Sequence, residues 1–557
     1  MNRNILKRNS LRMLAAAAIL VVGFGALLWG KRNDFGLGRN IEIAVNMMRE
    51  LSLYYVDEVD PDRLMEGAAE GMVSDLDPYT EYMPEERMSS FELLTTGKYG
   101  GVGALIRQKG DYVIIAQPYK DSPADRAGLK IGDRIVAIDG EDARGFTTDK
   151  VSARLKGAPG STVRVTVERL LDGREEVTLR RERIAIPAVP YAGWLNDSIG
   201  YIQHSDFTDG CYEEVRAAVE RLRAEGNLRG LVLDYRGNGG GIMQEAVKIL
   251  SMFVPKGTEV VATHGRTEQK SYRTQSEPIL AELPLAVLVN GNTASAAEIV
   301  SGALQDLDRA VLIGQKSFGK GLVQSTRPLG YNAYLKLTTA KYYIPSGRCI
   351  QAIDYSHSQQ GEVKSVPDSL IREFRTAAGR KVYDGGGIMP DIRTEPEYIS
   401  RFAATLYALG FVEDFVDDYM RSHAGEPFHL MEFALDSATY DRFADFMKDK
   451  KVPYESETRR ALERLRKAAE EERYTELDNH LARLEQEVRD DTQTNLETYR
   501  QEIVRTLENE IILRYAYAQG VIEHALPQDA EVQRAVKVLS SPDEYRRITR
   551  EQDTARK

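Results

Sequence analysis

The chain has 557 residues, of which 42% are hydrophobic, and a formal net charge of −11. This length predicts roughly three or four domains, and the apolar fraction is too low for a protein with many membrane spans. The excess of acidic residues argues against a general nucleic-acid binder. The seven histidines and the cysteines Cys211 and Cys349 show no metal-ligand spacing, and the sequence leaves open whether the cysteines pair.

The N-terminus predicts a membrane anchor. Basic residues between Arg3 and Arg12 precede an uninterrupted apolar run over residues 13–29. Seventeen residues are at the lower limit for a span, and the following Gly-Lys-Arg is a poor context for signal cleavage. We therefore expect residues 1–33 to form a cytoplasmic stub and an uncleaved signal anchor; a cleaved secretory signal is the alternative. In a two-membrane bacterium this topology predicts a single-pass inner-membrane protein with its bulk in the periplasm.

Residues 34–96 predict a small helical domain. Apolar residues recur with helical spacing over residues 41–54 and again over residues 64–76. Asp77-Pro78 ends the second helix, because proline disfavours helical backbone in the residue before it. No residue of this segment has a catalytic pattern.

Residues 97–185 alternate strand and turn patterns in an order that resembles a PDZ domain of the bacterial type. The signals are a strand at 113–116, a short helix at 122–129 and an alternating strand at 163–167. PDZ domains bind a peptide C-terminus as an added strand, and backbone N–H groups capture its carboxylate. The resemblance implies that a glycine-rich loop binds this carboxylate; the alternative is a simple tight turn. The loop residues are Tyr99, Gly100, Gly101, Val102 and Gly103.

Residues 186–394 alternate strands and helices, which predicts an α/β domain with a sheet covered by helices. A buried strand at 230–234 is followed by the glycines 239–241. These glycines lack the spacing of a dinucleotide-binding fingerprint. A second buried strand, at 285–289, ends in the turn formers 290–292.

Ser295 lies where this second strand gives way to a helix that begins at Ala296. Free backbone N–H groups and the helix dipole favour negative charge at a helix start. The position suits a serine that attacks a carbonyl and then holds an oxyanion. The alternative without catalysis is that Ser295 only caps the helix.

A serine nucleophile needs a base, and residues 285–330 contain no histidine. Lys320 follows a glycine-rich loop and can be the base if burial lowers its pKa. Gln324 is four residues further on, a spacing that returns to the same face and lets its amide orient the amine.

The segments 290–298 and 314–324 resemble the carboxyl-terminal processing (tail-specific) serine proteases, which use a Ser–Lys dyad. The resemblance implies Ser295 as the nucleophile, Lys320 as the general base and Gln324 as the residue that holds the lysine. It covers roughly residues 40–394 and implies no metal, nucleotide or other cofactor.

The same resemblance implies an oxyanion hole beside the serine. Its donors are the N–H of Gly239 or Gly240, a choice that stays open, and the N–H of Ala296. Asp234 and Arg236 are expected to be structural and to tie this loop through a charge pair.

Three other chemistries fit the sequence less well. Residues 314–320 match the G-x-x-x-x-G-K phosphate-loop template, but Gly321 stands where Ser or Thr is required and an extended segment follows. Ser295 lacks the flanking glycines of an α/β-hydrolase elbow. Cys349 has no neighbouring base that would make it a nucleophile.

Residues 395–557 are polar and helical, with apolar steps at 477–488 and at 496–511. We expect these helices to pack on the protease or on a second subunit, so a homo-oligomer is one expectation. The sequence thus predicts a multidomain α/β serine endopeptidase that captures protein C-termini. The alternative is a catalytically inactive, membrane-tethered peptide-binding scaffold.

Overall fold

The computed structural model describes residues 36–88, 93, 95–354, 364–365, 369, 371–488 and 491–550. The expected anchor at residues 13–29 lies outside this part of the chain. Among the described helices, none combines the length and the apolar character that a bilayer span requires.

The chain divides into two compact units, and the described part of the first comprises residues 36–85 and 325–337. Its described part contains the two expected helices, at residues 36–54 and Pro61–Val73. It also contains an unexpected strand, Glu81–Met83, which pairs antiparallel with residues 334–336. Many apolar side chains between residues 37 and 56 are exposed: Leu37, Ile41, Ile43, Val45, Met47, Leu53, Tyr54, Tyr55 and Val56.

The second unit holds the rest of the chain and begins with the PDZ-like segment. Five strands form an antiparallel sheet in the order Ala104–Lys109, Tyr112–Pro118, Arg134–Ile138, Thr162–Arg169 and Gly173–Arg180. A short strand, Glu141–Asp142, extends it, and Lys98–Gly101 pairs separately with Glu182–Ala185. The helices are Pro123–Arg126 and Thr148–Leu155.

A six-stranded central sheet organises residues 186–394. Its order is Tyr191–Trp194, Ile199–Gln203, Gly230–Asp234, Leu285–Val289, Val311–Gly314 and Ile392–Arg393. The first pair is antiparallel and all later pairs are parallel. The expected α/β sheet is therefore present, and both predicted buried strands have the bounds that the sequence indicated.

Helices cover both faces of the central sheet. Because successive side chains of a strand point to opposite faces, alternate strand residues pack into two different cores. Leu231, Leu233 and Val287 share one core with helices Cys211–Glu225, Met243–Leu250 and Ala296–Asp306. The intervening side chains, including Val232 and Leu288, join residues of helix Ala530–Leu539 in a second core. The C-terminal region thus covers one face of the sheet, as expected.

The remaining strands of this segment are not part of the central sheet: Glu259–Gly265, Gln269–Arg273, Leu322–Gly330, Ala333–Tyr343, Ile353–Asp354, Lys364–Ser365, Glu373–Arg375 and Lys381–Tyr383. The C-terminal helices are Arg401–Ala408, Phe411–Ser422, Ser437–Phe446, Glu457–Glu472, Asp478–Glu487, Thr492–Thr498, Arg500–Ala525, Ala530–Leu539 and Pro542–Arg550. The apolar step at 496–511 does not form one helix, because Tyr499 leaves helical geometry between two helices.

Charged side chains join the C-terminal helices to the PDZ-like sheet. Lys109, on the edge strand, binds Asp414 at 2.9 Å and Asp417 at 3.0 Å. Arg514 binds Asp417 at 3.0 Å and donates to the backbone oxygen of Ile131 at 2.9 Å. Because the Arg514 side chain is only 3% exposed, these bonds form a largely desolvated contact.

Candidate active site

Ser295 occupies a strained position between a buried strand and a helix. Strand Leu285–Val289 ends at a turn, and helix Ala296–Asp306 begins directly after the serine. Ser295 has φ 55° and ψ −118°, a backbone conformation that non-glycine residues rarely adopt. Such strain persists only where the surroundings enforce it, and it is concentrated at functional sites.

One buried carboxylate holds the backbones of both predicted dyad residues. Oε2 of Glu298 accepts from the N–H groups of Ser295 and Lys320, at 2.9 Å each. Its Oε1 accepts from the N–H of Gly319 at 2.7 Å and from the hydroxyl of Ser317 at 2.6 Å. The nitrogens of Ser295 and Lys320 therefore lie no more than twice 2.9 Å apart.

The Glu298 carboxylate is completely buried. Burial raises its pKa to about 7, although its hydrogen bonds oppose this shift. All four bonds need an acceptor at the carboxylate, so the ionised form suits the cluster best. The loop that carries Lys320 is consequently tied to the first turn of the serine helix by a group that titrates near neutral pH.

Tyr342 makes a second link between the same two backbones. Its hydroxyl lies 3.1 Å from the carbonyl oxygen of Ser295 and 2.5 Å from that of Lys320. The ring is 1% exposed, so this link is shielded from water. Glu298 and Tyr342 together bring the main chains of positions 295 and 320 into one half-buried site.

The glycine loop after strand Gly230–Asp234 lies against the serine. A Cβ on Gly240 would be 2.6 Å from the Cβ of Ser295 and 2.8 Å from the nitrogen of Ala296. The N–H of Gly240 donates to Oδ1 of Asn238 at 2.8 Å, and Asn238 is fully buried. Among the described residues, the N–H of Gly239 has no hydrogen-bond acceptor.

The expected charge pair ties the start of this loop. Nη2 of Arg236 lies 2.6 Å from Oδ2 of Asp234, and Tyr201 donates to the same oxygen at 2.7 Å. The amide of Gln324, by contrast, donates to Oγ1 of Thr338 at 3.1 Å. The role of Gln324 in holding Lys320 stays a prediction.

The predicted carboxylate loop lies outside the five-stranded PDZ-like sheet, directly before its edge strand Ala104–Lys109. Tyr99, Gly100 and Gly101 belong to the strand Lys98–Gly101, and the turn comes at Gly103, which has φ +76°. Burial and the neighbouring Tyr119 raise the pKa of the Tyr99 phenol, whereas the backbone N–H groups of Gly103 and Ala104 lower it.

The structure also bears on the alternatives. Lys320 is followed by strand Leu322–Gly330, whereas a phosphate-binding loop is followed by a helix. The N–H groups of Gly319 and Lys320, which such a loop would donate to phosphate, donate to the Glu298 carboxylate. Cys211 and Cys349 are both free. Burial raises the pKa of the Cys349 thiol, which opposes a role as nucleophile.

Two residues that organise the site were not singled out from the sequence. Glu298 had a signal, because Ser295 and Glu298 have the spacing of a helix capping box. Asn238 had no comparable spacing signal, because its role depends on two side-chain hydrogen bonds: it accepts from the N–H of Gly240 and donates to the carbonyl oxygen of His204.

Four families match successive parts of the chain. They are the activating protease CtpB N-terminal domain over residues 39–87, the PDZ domain over 114–169, peptidase family S41 over 198–356, and the probable PDZ-protease C-terminal helical domain over 402–539. The serine, the glycine loop and the lysine lie within the third match.

Similar proteins match more than half of the chain. A carboxy-terminal-processing protease of Bartonella bacilliformis is 37% identical over 305 residues, covering 54% of this chain and 70% of the relative. The carboxy-terminal processing protease CtpA of Bacillus subtilis is 33% identical over 337 residues, covering 60% and 72%. The solved photosystem II D1 C-terminal processing protease is 26% identical, with 64% of this chain and 93% of that chain covered and a TM-score of 0.34.

Proposed function

Because the chain belongs to the carboxy-terminal processing proteases and carries a peptidase S41 core with a PDZ domain, we propose that it is an endopeptidase with a Ser295–Lys320 dyad. The observation that supports this best is the carboxylate of Glu298, which binds the N–H groups of both residues at 2.9 Å. A serine that only capped a helix would not need a lysine loop tied to it.

In this mechanism the uncharged amine of Lys320 takes the hydroxyl proton as the oxygen of Ser295 attacks the scissile carbonyl. The protonated lysine then gives that proton to the leaving amine, and an acyl-enzyme remains. Water attacks the acyl carbon while the lysine takes a proton from it, and the lysine then gives that proton to the Ser295 oxygen as the acyl bond breaks. No metal or nucleotide takes part in these steps.

The oxyanion formed in each attack needs fixed donors. We assign them to the N–H groups of Gly239 and Ala296. The N–H of Gly240 is already bound to Asn238, whereas that of Gly239 has no acceptor among the described residues. Ala296 is the first residue of its helix, where a backbone N–H has no partner within the helix. Gln324, on the strand after Lys320, is proposed to orient the amine.

The PDZ domain is proposed to select the substrate by its C-terminus. A peptide that adds as a strand along Ala104–Lys109, the edge strand of the described sheet, brings its carboxylate to the turn at Gly103. Gly103, with φ +76°, turns the backbone between the strands Lys98–Gly101 and Ala104–Lys109. Backbone N–H groups of this turn would bind the carboxylate.

Two further parts of the proposal concern location and assembly. The basic segment and apolar run before residue 30 support a single-pass anchor in the bacterial inner membrane, with the protease in the periplasm. The exposed apolar side chains of residues 37–56 support a homo-oligomer formed through this helical region.

The test is a digest of an unstructured polypeptide such as casein by the wild type and by Ser295→Ala, analysed by mass spectrometry. The proposal expects fragments from the wild type alone. Binding of the polypeptide without fragments from either protein would favour the scaffold and contradict the protease.

A further inference from the structure

Glu531 belongs to the C-terminal helical domain and reaches the loops of the protease core. It lies in the first turn of helix Ala530–Leu539, which packs on the central sheet. Glu531 is 9% exposed although it is charged. Such burial requires compensating partners, because a buried carboxylate without them is costly.

These partners come from three separate segments of the core. Oε2 of Glu531 accepts from Nη1 of Arg236 at 2.8 Å. Its Oε1 accepts from Nε2 of Gln315 and from Oγ1 of Thr394, at 2.5 Å each. Asp529, the residue that caps the same helix, lies 2.8 Å from Nη1 of Arg236.

Two of the three segments lead directly into the active site. Arg236 stands three residues before Gly239, and its other nitrogens are held by Asp234. Gln315 begins the loop that continues through Ser317 to Lys320. One carboxylate from outside the protease core therefore joins the glycine loop to the lysine loop.

We propose that Glu531, assisted by Asp529, is a positioning residue that holds the glycine loop and the lysine loop in register. This inference rests on the proposed function, because it assigns the two loops to the oxyanion hole and to the general base. The C-terminal helical domain thereby becomes part of the catalytic assembly. Glu531 itself touches neither the serine nor the substrate.

The arrangement predicts an effect on turnover and not on peptide binding. An oxyanion donor must meet the transition state within fractions of an ångström, and a small displacement costs rate without changing ground-state contacts. Substrate capture on the PDZ domain uses a different sheet, so KM should stay nearly constant.

The experiment compares full-length Glu531→Gln, Asp529→Asn and the control Glu544→Gln with the wild type. Asn still caps a helix, so Asp529→Asn removes mainly the charge on Arg236. Glu544, in helix Pro542–Arg550, pairs at 2.7 Å with Arg534, which is in the same helix as Glu531. Neither residue of this pair belongs to the active-site loops. Steady-state peptide cleavage and hydrogen–deuterium exchange are measured on each protein.

The proposal expects Glu531→Gln to lower kcat between about 10- and 100-fold with KM changed less than roughly twofold. Asp529→Asn should do the same to a smaller extent, and Glu544→Gln should match the wild type. Hydrogen–deuterium exchange over residues 235–241 and 315–321 should be faster in Glu531→Gln than in the wild type, whether or not Asp529→Asn is also present.

The proposal would be overturned if both loops of Glu531→Gln exchanged at the wild-type rate. It would also be overturned if Glu531→Gln and Glu544→Gln changed kcat and exchange equally. The exchange measurement needs no substrate. A wild type that fails to cleave peptides would therefore contradict the proposed function, while faster loop exchange in Glu531→Gln would still support the positioning role.

Discussion

Gly240 lies so close to Ser295 that a Cβ at position 240 would be 2.6 Å from the Cβ of the serine. The same atom would be 2.7 Å from the carbonyl oxygen of Ala294. Real Cβ atoms do not approach backbone so closely, and the φ of +93° at Gly240 also disfavours a side chain. Only glycine lets the loop approach the serine in this way.

Gly240→Ala should therefore displace the glycine loop or the serine and lower kcat/KM by about 100-fold or more. Peptide cleavage and thermal unfolding are the measurements. Gly291→Ala is the matched control, because Gly291 lies in the turn before the serine and a Cβ there meets nothing within 4 Å. Equal activities of the two variants would show that the close approach is unimportant.

Replacing Glu298 tests the carboxylate that joins Ser295 to Lys320. In Glu298→Gln an amide NH₂ faces N–H donors, so we expect a loss of at least about 2 kcal/mol in stability and of most peptide cleavage. The control is Glu245→Gln: Glu245 is equally buried and accepts from the N–H of Tyr212 at 2.9 Å. That variant should lose stability but keep its kcat.

The raised pKa of Glu298 makes the stability of the wild type depend on pH, and Glu298→Gln should weaken this dependence. Its pKa is raised from 4.5 to about 7, so the folded protein binds more protons than the unfolded chain between these values. The associated stability is present below pH 4.5 and is lost as the pH rises through 7. Urea unfolding from pH 4 to 8 should show this decline in the wild type and a weaker one in Glu298→Gln; identical slopes would contradict the burial effect.

The elements that carry the site were predictable because their signals are local. The strand before Ser295 is an uninterrupted apolar run that ends in turn formers, and a helix of small residues follows it. The contacts between these elements were not predictable to the same degree. Capping-box spacing points from Glu298 to Ser295, but nothing local points to Lys320, which is 22 positions away.

The choice between Gly239 and Gly240 illustrates the same limit. Both glycines follow a buried strand, and the sequence left the oxyanion donor open between them. The contact behind our proposal of Gly239 is the side chain of Asn238, which binds the N–H of Gly240. The link from Glu531 to Arg236 spans 295 positions and has no sequence signal at all.

His204 should give the protein a second pH dependence, of opposite sign. Its side chain is buried in the protease core, and burial lowers its pKa from 6.5 to about 4. The unfolded chain therefore binds more protons between these values, and stability is lost as the pH falls from 6.5 towards 4. His204→Phe should remove about 2 kcal/mol of this loss at pH 5.

The measurement is urea unfolding of the wild type and His204→Phe at pH 5 and pH 8. Phe207→Leu is the control, because its ring lies 4.5 Å from that of His204 but does not titrate. A stability difference between the wild type and His204→Phe that is the same at both pH values would contradict the prediction.

The contact between the helical domain and the PDZ domain is tested at Asp417. Asp417→Asn removes a carboxylate from both Lys109 and Arg514, and should cost about 1–2 kcal/mol. Hydrogen exchange over strand Ala104–Lys109 should rise. Asp418→Asn is the control, since Asp418 pairs only with exposed Arg421 among the described residues. Unchanged exchange in Asp417→Asn would show that the contact does not hold the strand.

The central claim is that Lys320 is the general base for Ser295, and the most direct measurement compares Lys320→Ala with Lys316→Ala on one peptide substrate. Lys316 is an exposed lysine in the same loop, four residues earlier. We predict that Lys320→Ala loses at least about 1,000-fold in kcat while remaining folded, and that Lys316→Ala cleaves like the wild type. Near-normal turnover by folded Lys320→Ala would contradict it.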